Sequence, residues 1–401
     1  MRYLSADCII PIVGDPYYNG VLAVADDGTI DGLFDRSELK DAFYEIHHYT
    51  GILCPGFVNT HCHLELSWAK GLIPGGTGLD GFIRQLRILR QAASEKRQIH
   101  AAEQAFGEME QAGTVATADI ANRGITLGLK SSNQHYFHTF VEVFGSDPAK
   151  AGAIFQKASQ LKKQFEETTL PGRSSIVPHA TYSLSEELFR ITGSSSVNDG
   201  DLLSIHHQEN TDENLFFTDG SGPAADRRKA FNPHLPPFEG TGKRPAQSIA
   251  VYFNPEQKIL FVHNTVSEQQ DIDFVNAYFR NAYWCFCPNA NLFIENRLPE
   301  IELFRKSGCR ITLGTDSLAS NRQLSIWEEI KTIRQYFPHI PLTELLRWGT
   351  LNGAEFLGVD ARLGSFETGK KPGVVLIENL DTSTFQLNPE STSRLLIPAG
   401  K

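Results

Sequence analysis

Short apolar runs that stop at polar, metal-loving residues recur along this chain. Leu202-Leu203-Ser204-Ile205 runs into His206-His207-Gln208-Glu209, Ile259-Leu260-Phe261-Val262 into His263-Asn264, and Ile311-Thr312-Leu313-Gly314 into Thr315-Asp316-Ser317. Earlier, Ile52-Leu53 leads through Gly56-Phe57-Val58-Asn59 to His61-Cys62-His63. Apolar runs of this length, bounded by turn residues, predict strands buried on both faces, as in parallel sheets. Eight such strands are predicted, near residues 53–59, 114–119, 136–144, 174–179, 202–206, 259–263, 283–287 and 309–315. Helical patterns lie between several of them, including Phe82 to Ala105 and Ile326 to Tyr336, the latter followed by Pro338. Eightfold strand–helix alternation predicts an α/β fold, a (β/α)8 TIM-like barrel, which needs ~250 residues. Residues 53–358 supply that length with room for insertions.

The two ends have a different texture. Asp7–Val13, Gly20–Val24 and Thr29–Phe34 read as short strands, with a turn at Asp26-Asp27-Gly28, and Gly373-Val374-Val375-Leu376-Ile377 reads as another near the far end. The expectation is a small β-sandwich domain assembled from residues 1–52 and 359–401. After the fifth barrel strand, residues 213–247 carry Phe216, Phe217, Phe231 and Phe238 among Gly and Pro. This insertion reads either as a mobile lid over the substrate or as a packed surface loop.

Composition narrows the class. The 401 residues carry a net charge of −10 and are 41% hydrophobic and 21% charged. With a pI near 5.7, the balance argues against a nucleic-acid backbone or an anionic membrane as partner. Cys8, Cys54, Cys62, Cys285, Cys287 and Cys309 lie mostly in apolar runs and lack the paired spacing of a structural zinc cluster. No run approaches the ~20 apolar residues of a membrane span, and the N-terminus has no signal-peptide core. A cytoplasmic, reduced protein is expected.

The strand ends carry the chemistry. Alternation along an extended strand sends His61 and His63 to the same side, where two imidazoles can share a cation, Zn²⁺ first and Fe²⁺ second. His206 would be the third imidazole. Glu209, beside the metal but not on it, could move a proton from water to a ring nitrogen or leaving group. For His207 a packing role is favoured. His263 could hydrogen-bond the attacking oxygen or ligate the metal. Asp316 could bind the cation and accept a hydrogen bond from its hydroxide, available at neutral pH because the ion lowers the pKa of water to about 7.

This ordered set resembles the amidohydrolase superfamily, in its branch of chlorohydrolases and purine-type deaminases. The matching pieces are Pro55-Gly56-Phe57-Val58-Asn59-Thr60-His61-Cys62-His63, Pro178-His179, His206-x-x-Glu209, His263 and Gly314-Thr315-Asp316. The resemblance implies His61, His63, His206 and Asp316 as metal ligands, Glu209 as proton shuttle, His263 as partner of the hydroxide and His179 as a substrate contact. Binuclear members place a carbamylated Lys at the end of the fourth strand; here Ser174-Ser175-Ile176-Val177-Pro178-His179 has none, so one divalent ion is expected. A narrower likeness, through His63-Leu64-Glu65-Leu66-Ser67, Leu260-Phe261-Val262-His263-Asn264, Cys287-Pro288-Asn289-Ala290-Asn291 and Asp316-Ser317-Leu318-Ala319-Ser320-Asn321, is to the aminodeoxyfutalosine deaminases of the futalosine route to menaquinone. It implies a 6-aminopurine nucleoside as small-molecule substrate, Glu65 reading the ribose or purine, and Asn291 and Asn321 fixing loops around the ligand. Turn stabilisation by the two Asn and a surface charge at Glu65 remain the bland alternatives. Other deaminations (S-adenosylhomocysteine, methylthioadenosine, adenosine, guanine, 8-oxoguanine), a triazine dechlorination, and a silent binding barrel are the rival readings. Fold analogy implies a homodimer.

Overall fold

The computed structural model describes residues 1–39, 45–133, 135–168 and 172–400. Four strands open the chain: β1 (Arg2–Ile9), β2 (Gly20–Val24), β3 (Ile30–Asp35) and β4 (Ile46–Pro55). The middle carries β5 (Phe57–Cys62), β6 (Thr114–Ala121), β7 (Tyr136–Val143) and β8 (Gly172–Pro178). It continues with β9 (Leu203–His207), β10 (Lys258–His263), β11 (Asn281–Phe286) and β12 (Ile311–Leu313). Last come β13 (Val374–Glu378) and β14 (Thr392–Ile397).

The eight middle strands lie where the apolar runs predict them, and they form two four-stranded parallel sheets, β5-β6-β7-β8 and β12-β11-β10-β9. Isolated parallel bridges, Cys62 to Asp316 and Ala180 to His206, join the two sheets at both edges. These strands are buried along nearly their whole length. That is why they read as continuous apolar runs rather than as alternation.

Both chain ends meet in one six-stranded sheet, β14-β13-β4-β1-β2-β3. Among the described residues this single mixed sheet stands where a two-layer sandwich was expected. The reason is β4, which pairs in parallel with β1 and antiparallel with β13, so the terminal strands extend one sheet instead of stacking a second. Leu4, Ala6, Ile9, Leu22, Val24, Ile30, Leu53, Val374 and Leu376 pack with Phe366 in a cluster of their own.

Two boundaries differ from the expectation. The run over 53–59 is not one strand but the end of β4 and the start of β5, parted at Gly56. A Cβ there would lie 2.4 Å from Val115 Cγ1 and 2.6 Å from the Pro372 carbonyl oxygen, so only glycine lets the chain pass between sheets. The helical pattern from Phe82 to Ala105 divides into Gly78–Arg90 and Glu95–Gln111, because Ser94 turns extended and caps the second helix through the Arg97 N–H. The helix Ile326–Tyr336 matches its expected bounds.

The insertion at 213–247 is packed. It holds most of the helix Thr211–Asp219, the helix Gly222–Phe231 and the start of Pro245–Ile249. Phe216 stacks on Phe238 with ring centroids 4.2 Å apart, and Phe216 and Phe217 are buried. The six cysteines are free, five of them buried. Among the described residues no helix is long and apolar enough to cross a membrane.

Candidate metal centre

The carboxyl ends of β5, β9, β10 and β12 bring together the residues that end the apolar runs. His63 Nε2 lies 3.1 Å from His61 Nε2, so the two rings do point one way off the strand end. Asp316 Oδ1 sits 3.7 Å from His61 Nε2 and 3.5 Å from His63 Nε2. The His206 ring centroid is 4.9 Å from that of His61, and the His263 centroid is 5.7 Å from it. His61, His63 and Asp316 form one set whose donor atoms all fall within 4.8 Å of one another, and His61, His206 and His263 form a second. His61, His63, His206, His263, Glu209 and Asp316 are all buried.

Burial settles the charge states. It pushes His63 down to about 3 and lowers His61 and His206, so all three imidazoles are neutral at pH 7. Burial alone would raise Asp316, but the His61 hydrogen bond and the adjacent His63 and His263 hold it well below the usual carboxylate range. The nitrogens of His61 and His63 and an oxygen of Asp316 therefore face one another at 3.1–3.7 Å. That arrangement is repulsive unless a cation lies between them. His61 Nδ1 is also buried without a hydrogen-bond partner. The donor set fits a divalent ion with nitrogen and oxygen ligands.

Neighbouring groups orient each donor. His206 Nδ1 donates to the His179 carbonyl oxygen at 2.6 Å, which leaves Nε2 as the lone pair facing the centre. His263 Nδ1 does the same to Asn291 Oδ1 at 3.1 Å. Asp316 Oδ2 accepts from the Ser320 hydroxyl at 2.5 Å. Gly314 permits the last strand to close on the first: a Cβ there would fall 2.7 Å from the Cβ of His61 and 2.8 Å from Cys285 Sγ. Gln208, His263, Asn264 and Asp316 all have φ between 45° and 74°, in the left-handed region. Non-glycine residues held there cost energy, and their clustering around one centre marks a functional site.

Glu209 stands beside the set, with Oε1 3.9 Å from His263 Nε2. Burial pushes its carboxyl up to about 7. A group poised there accepts and returns a proton at neutral pH with little cost. His179 lines the cavity above the centre, its Nδ1 3.0 Å from Ser183 Oγ. His207 is fully buried, 3.0 Å from Asn264 Oδ1, in the packing role expected of it.

Glu65, expected to read the ligand, and Asn291 and Asn321, expected to fix loops around it, all bond to the fold. Glu65 does not line the cavity: one oxygen pairs with Arg90 at 3.0 Å and the other accepts the Asn122 and Arg123 N–H groups, both at 3.1 Å. Asn291 acts behind His263, and its amide donates to Thr265. Asn321 holds the loop of Asp316, donating to the Thr315 carbonyl oxygen at 2.9 Å and to Glu329 at 2.8 Å while accepting the Arg322 N–H. All three side chains are engaged by the fold.

Other residues of the site carry no signal in a local pattern. Asn59 donates to Thr315 Oγ1 at 2.7 Å, and its oxygen receives the His61 and Thr315 N–H groups, both at 3.3 Å. Glu142 lines the cavity, its Oε1 buried without a hydrogen bond and 3.6 Å from His206 Nδ1. Asp119 accepts the Leu64 N–H at 2.8 Å, fixing the turn after His63, and pairs at 2.6 Å with Lys130; both side chains are fully buried. Removing one partner of such a pair strands a buried charge. Lys130→Met is therefore expected to cost about 3–5 kcal/mol of stability, read by urea denaturation. A cost below about 1 kcal/mol would show that the pair is not what holds this turn.

The sequence model of the Amidohydrolase family matches residues 52–394. An aminodeoxyfutalosine deaminase from a Nitratiruptor species is 27% identical over 340 residues, covering 83% of this chain and 80% of that protein. The crystal structure of Helicobacter pylori aminofutalosine deaminase in complex with methylthio-coformycin superposes with a TM-score of 0.83 at 21% identity, over 99% of this chain and 98% of that one. Atrazine chlorohydrolase from Arthrobacter aurescens TC1, complexed with zinc, gives a TM-score of 0.75 at 15% identity, over 100% and 96% of the two chains.

Proposed function

The chain belongs to the Amidohydrolase family, and from that premise we propose that it is a metal-dependent hydrolase that deaminates a 6-aminopurine nucleoside, with aminodeoxyfutalosine as its substrate. The observation that carries this reading is a pair of donor sets that share His61, one with His63 and Asp316 and one with His206 and His263, with Glu209 beside His263; from it we read His61, His63, His206 and Asp316 as the metal ligands. Zn²⁺ is the ion that suits three imidazoles and one carboxylate. When bound, such an ion lowers the pKa of a water to about 7 and so supplies the hydroxide that replacing an amino group by an oxo group requires.

The protein's own groups do the rest. Glu209 takes the proton of the attacking water and delivers it to the ring nitrogen next to the amino-bearing carbon. His263, its Nε2 directed inward by Asn291, aligns the incoming oxygen by hydrogen bonding. Asp316, fixed by Ser320, accepts the remaining proton and passes it to the departing ammonia. Water in and ammonia out balance the reaction. The same division between metal and non-ligand Glu serves zinc nucleobase deaminases of another fold.

The two parallel sheets are read as one closed (β/α)8 barrel that begins at β5 rather than at residue 53, supported by the bridges at both edges. The strands from Arg2 to Pro55 and from Val374 to Ile397 form the accessory sheet beside it.

Ammonia release from aminodeoxyfutalosine, adenosine, S-adenosylhomocysteine, methylthioadenosine and guanine tests the substrate. The expected result is a kcat/KM for aminodeoxyfutalosine at least about tenfold above the others. A higher value for guanine, or for a chlorotriazine added to the panel, moves the assignment to that ring.

A further inference from the structure

Several of the carboxylates buried in this fold are paired with a cation: Asp119 with Lys130, Glu65 with Arg90 and Asp271 with Arg244. Glu329 is not. It sits in the first turn of the helix Ile326–Tyr336, is fully buried, and has no cation partner among the described residues. Burial pushes its carboxyl up to about 8, against the pull of the hydrogen bonds it accepts from Asn289 and Asn321. A buried carboxyl with no countercharge is unfavourable for the fold. Glu329 does not line the cavity above the metal centre, so it holds no ligand there.

Its two oxygens hold two different segments. Oε1 accepts from Asn321 Nδ2 at 2.8 Å, and the same amide nitrogen donates to the Thr315 carbonyl oxygen at 2.9 Å. Thr315 precedes Asp316, whose φ of 55° is a conformation that needs such a restraint. Oε2 accepts the Asn289 N–H at 2.9 Å. Farther along the same helix, Thr332 Oγ1 donates to Asn289 Oδ1 at 2.6 Å, a second hold on that residue. Asn289 lies in the first turn of the helix Pro288–Glu295, and two residues later Asn291 Oδ1 receives His263 Nδ1 at 3.1 Å. A single side chain thus reaches the supports of both Asp316 and His263.

We propose that Glu329 is a positioning residue for the hydrolysis: holding Asn321 with one oxygen and Asn289 with the other, it fixes the Asp316 loop and the support of His263 relative to each other. The inference rests on the reading above, in which Asp316 binds the ion and His263 aligns the attacking oxygen. A carboxyl keeps acceptor capacity at both oxygens with or without a proton, so the double hold does not depend on its charge. Glutamine cannot reproduce it. Its NH2 would face either the Asn289 N–H or the Asn321 amide, leaving a buried donor without an acceptor. Asn321 cannot turn over to compensate, because its Oδ1 already accepts the Arg322 N–H at 2.7 Å.

The test compares the wild type with Glu329→Gln and Thr332→Val, each loaded with Zn²⁺ or Co²⁺. Zinc affinity is read by competition with a chromophoric chelator, ligand geometry by the visible absorption of the Co²⁺ form, and turnover by ammonia release. Glu329→Gln is expected to bind Zn²⁺ about ten- to a hundredfold more weakly and to shift the Co²⁺ bands. Its kcat should fall by about ten- to a hundredfold with KM changed less than about threefold. Thr332→Val loosens only the Asn289 side, so kcat should fall about fivefold while zinc affinity and the Co²⁺ bands stay those of the wild type. Glu329→Gln with wild-type zinc affinity, Co²⁺ spectrum and kcat overturns the proposal. So does a lower melting temperature with metal binding and kcat unchanged, the mark of a residue that only packs. If Glu329→Gln does not fold, Thr332→Val decides, and a wild-type kcat there overturns the proposal. Failure of the deaminase reading has a different signature: zinc affinity and the Co²⁺ bands respond to Glu329→Gln as expected, yet the wild type releases ammonia from no 6-aminopurine nucleoside.

Discussion

Glu209→Gln is expected to lower kcat by about 10²–10⁴-fold while metal content and fold stay those of the wild type. Glutamine keeps the volume and one acceptor oxygen of the side chain but cannot carry a proton from water to ring nitrogen. The choice of Glu209 rests on its place: 3.9 Å from His263, outside the converging donor sets, and pushed up to about 7 by burial. A variant that holds its metal and turns over at the wild-type rate would remove Glu209 from the mechanism. A variant that loses both metal and activity would make it a ligand instead. Metal analysis alongside steady-state kinetics separates these cases.

The other large effect is expected from the ion. Chelation, or His61→Ala, should take turnover to background, and re-addition of Zn²⁺ should restore the chelated protein but not the variant. The physical reason is the packing of neutral imidazoles and an ionised carboxylate around one point. Without a cation their lone pairs face each other at 3.1–3.7 Å. Ligand binding to the folded state alone adds about 2.7 kcal/mol at a free concentration 100 times Kd. Melting followed by calorimetry should therefore show the midpoint rising with Zn²⁺ in the wild type and hardly moving in His61→Ala. Full activity in protein with no measurable metal would sink the metal assignment.

Much of this site was legible because its donors follow the strands. His61, His63, His206, His263 and Asp316 each end a buried apolar run, so strand prediction alone put them at the same level of the fold. Their supports were not legible, because contact across strands leaves no mark on a local pattern. Asn59 and Thr315 are 256 residues apart in sequence, and the Asp119–Lys130 pair makes sense only once Leu64 N–H is seen to need an acceptor. The partners of Glu65, Asn291 and Asn321 were not legible for the converse reason. A polar residue near a motif can face either the cavity or the backbone behind it, and spacing does not say which. Gly56 and Ser94 divided what periodicity ran together, since apolar rhythm persists across a break that only backbone geometry imposes.

The stitch between β5 and the loop after β12 has one more consequence. The donor set is split between the opening and closing strands of the parallel framework, so any fragment released before the last strand docks lacks Asp316 and has only part of the cage. Metal uptake by this set is therefore expected to come late, once the most sequence-distant contact has formed and its loop-closure entropy has been met. An ion held there would report that the two parallel sheets have been joined.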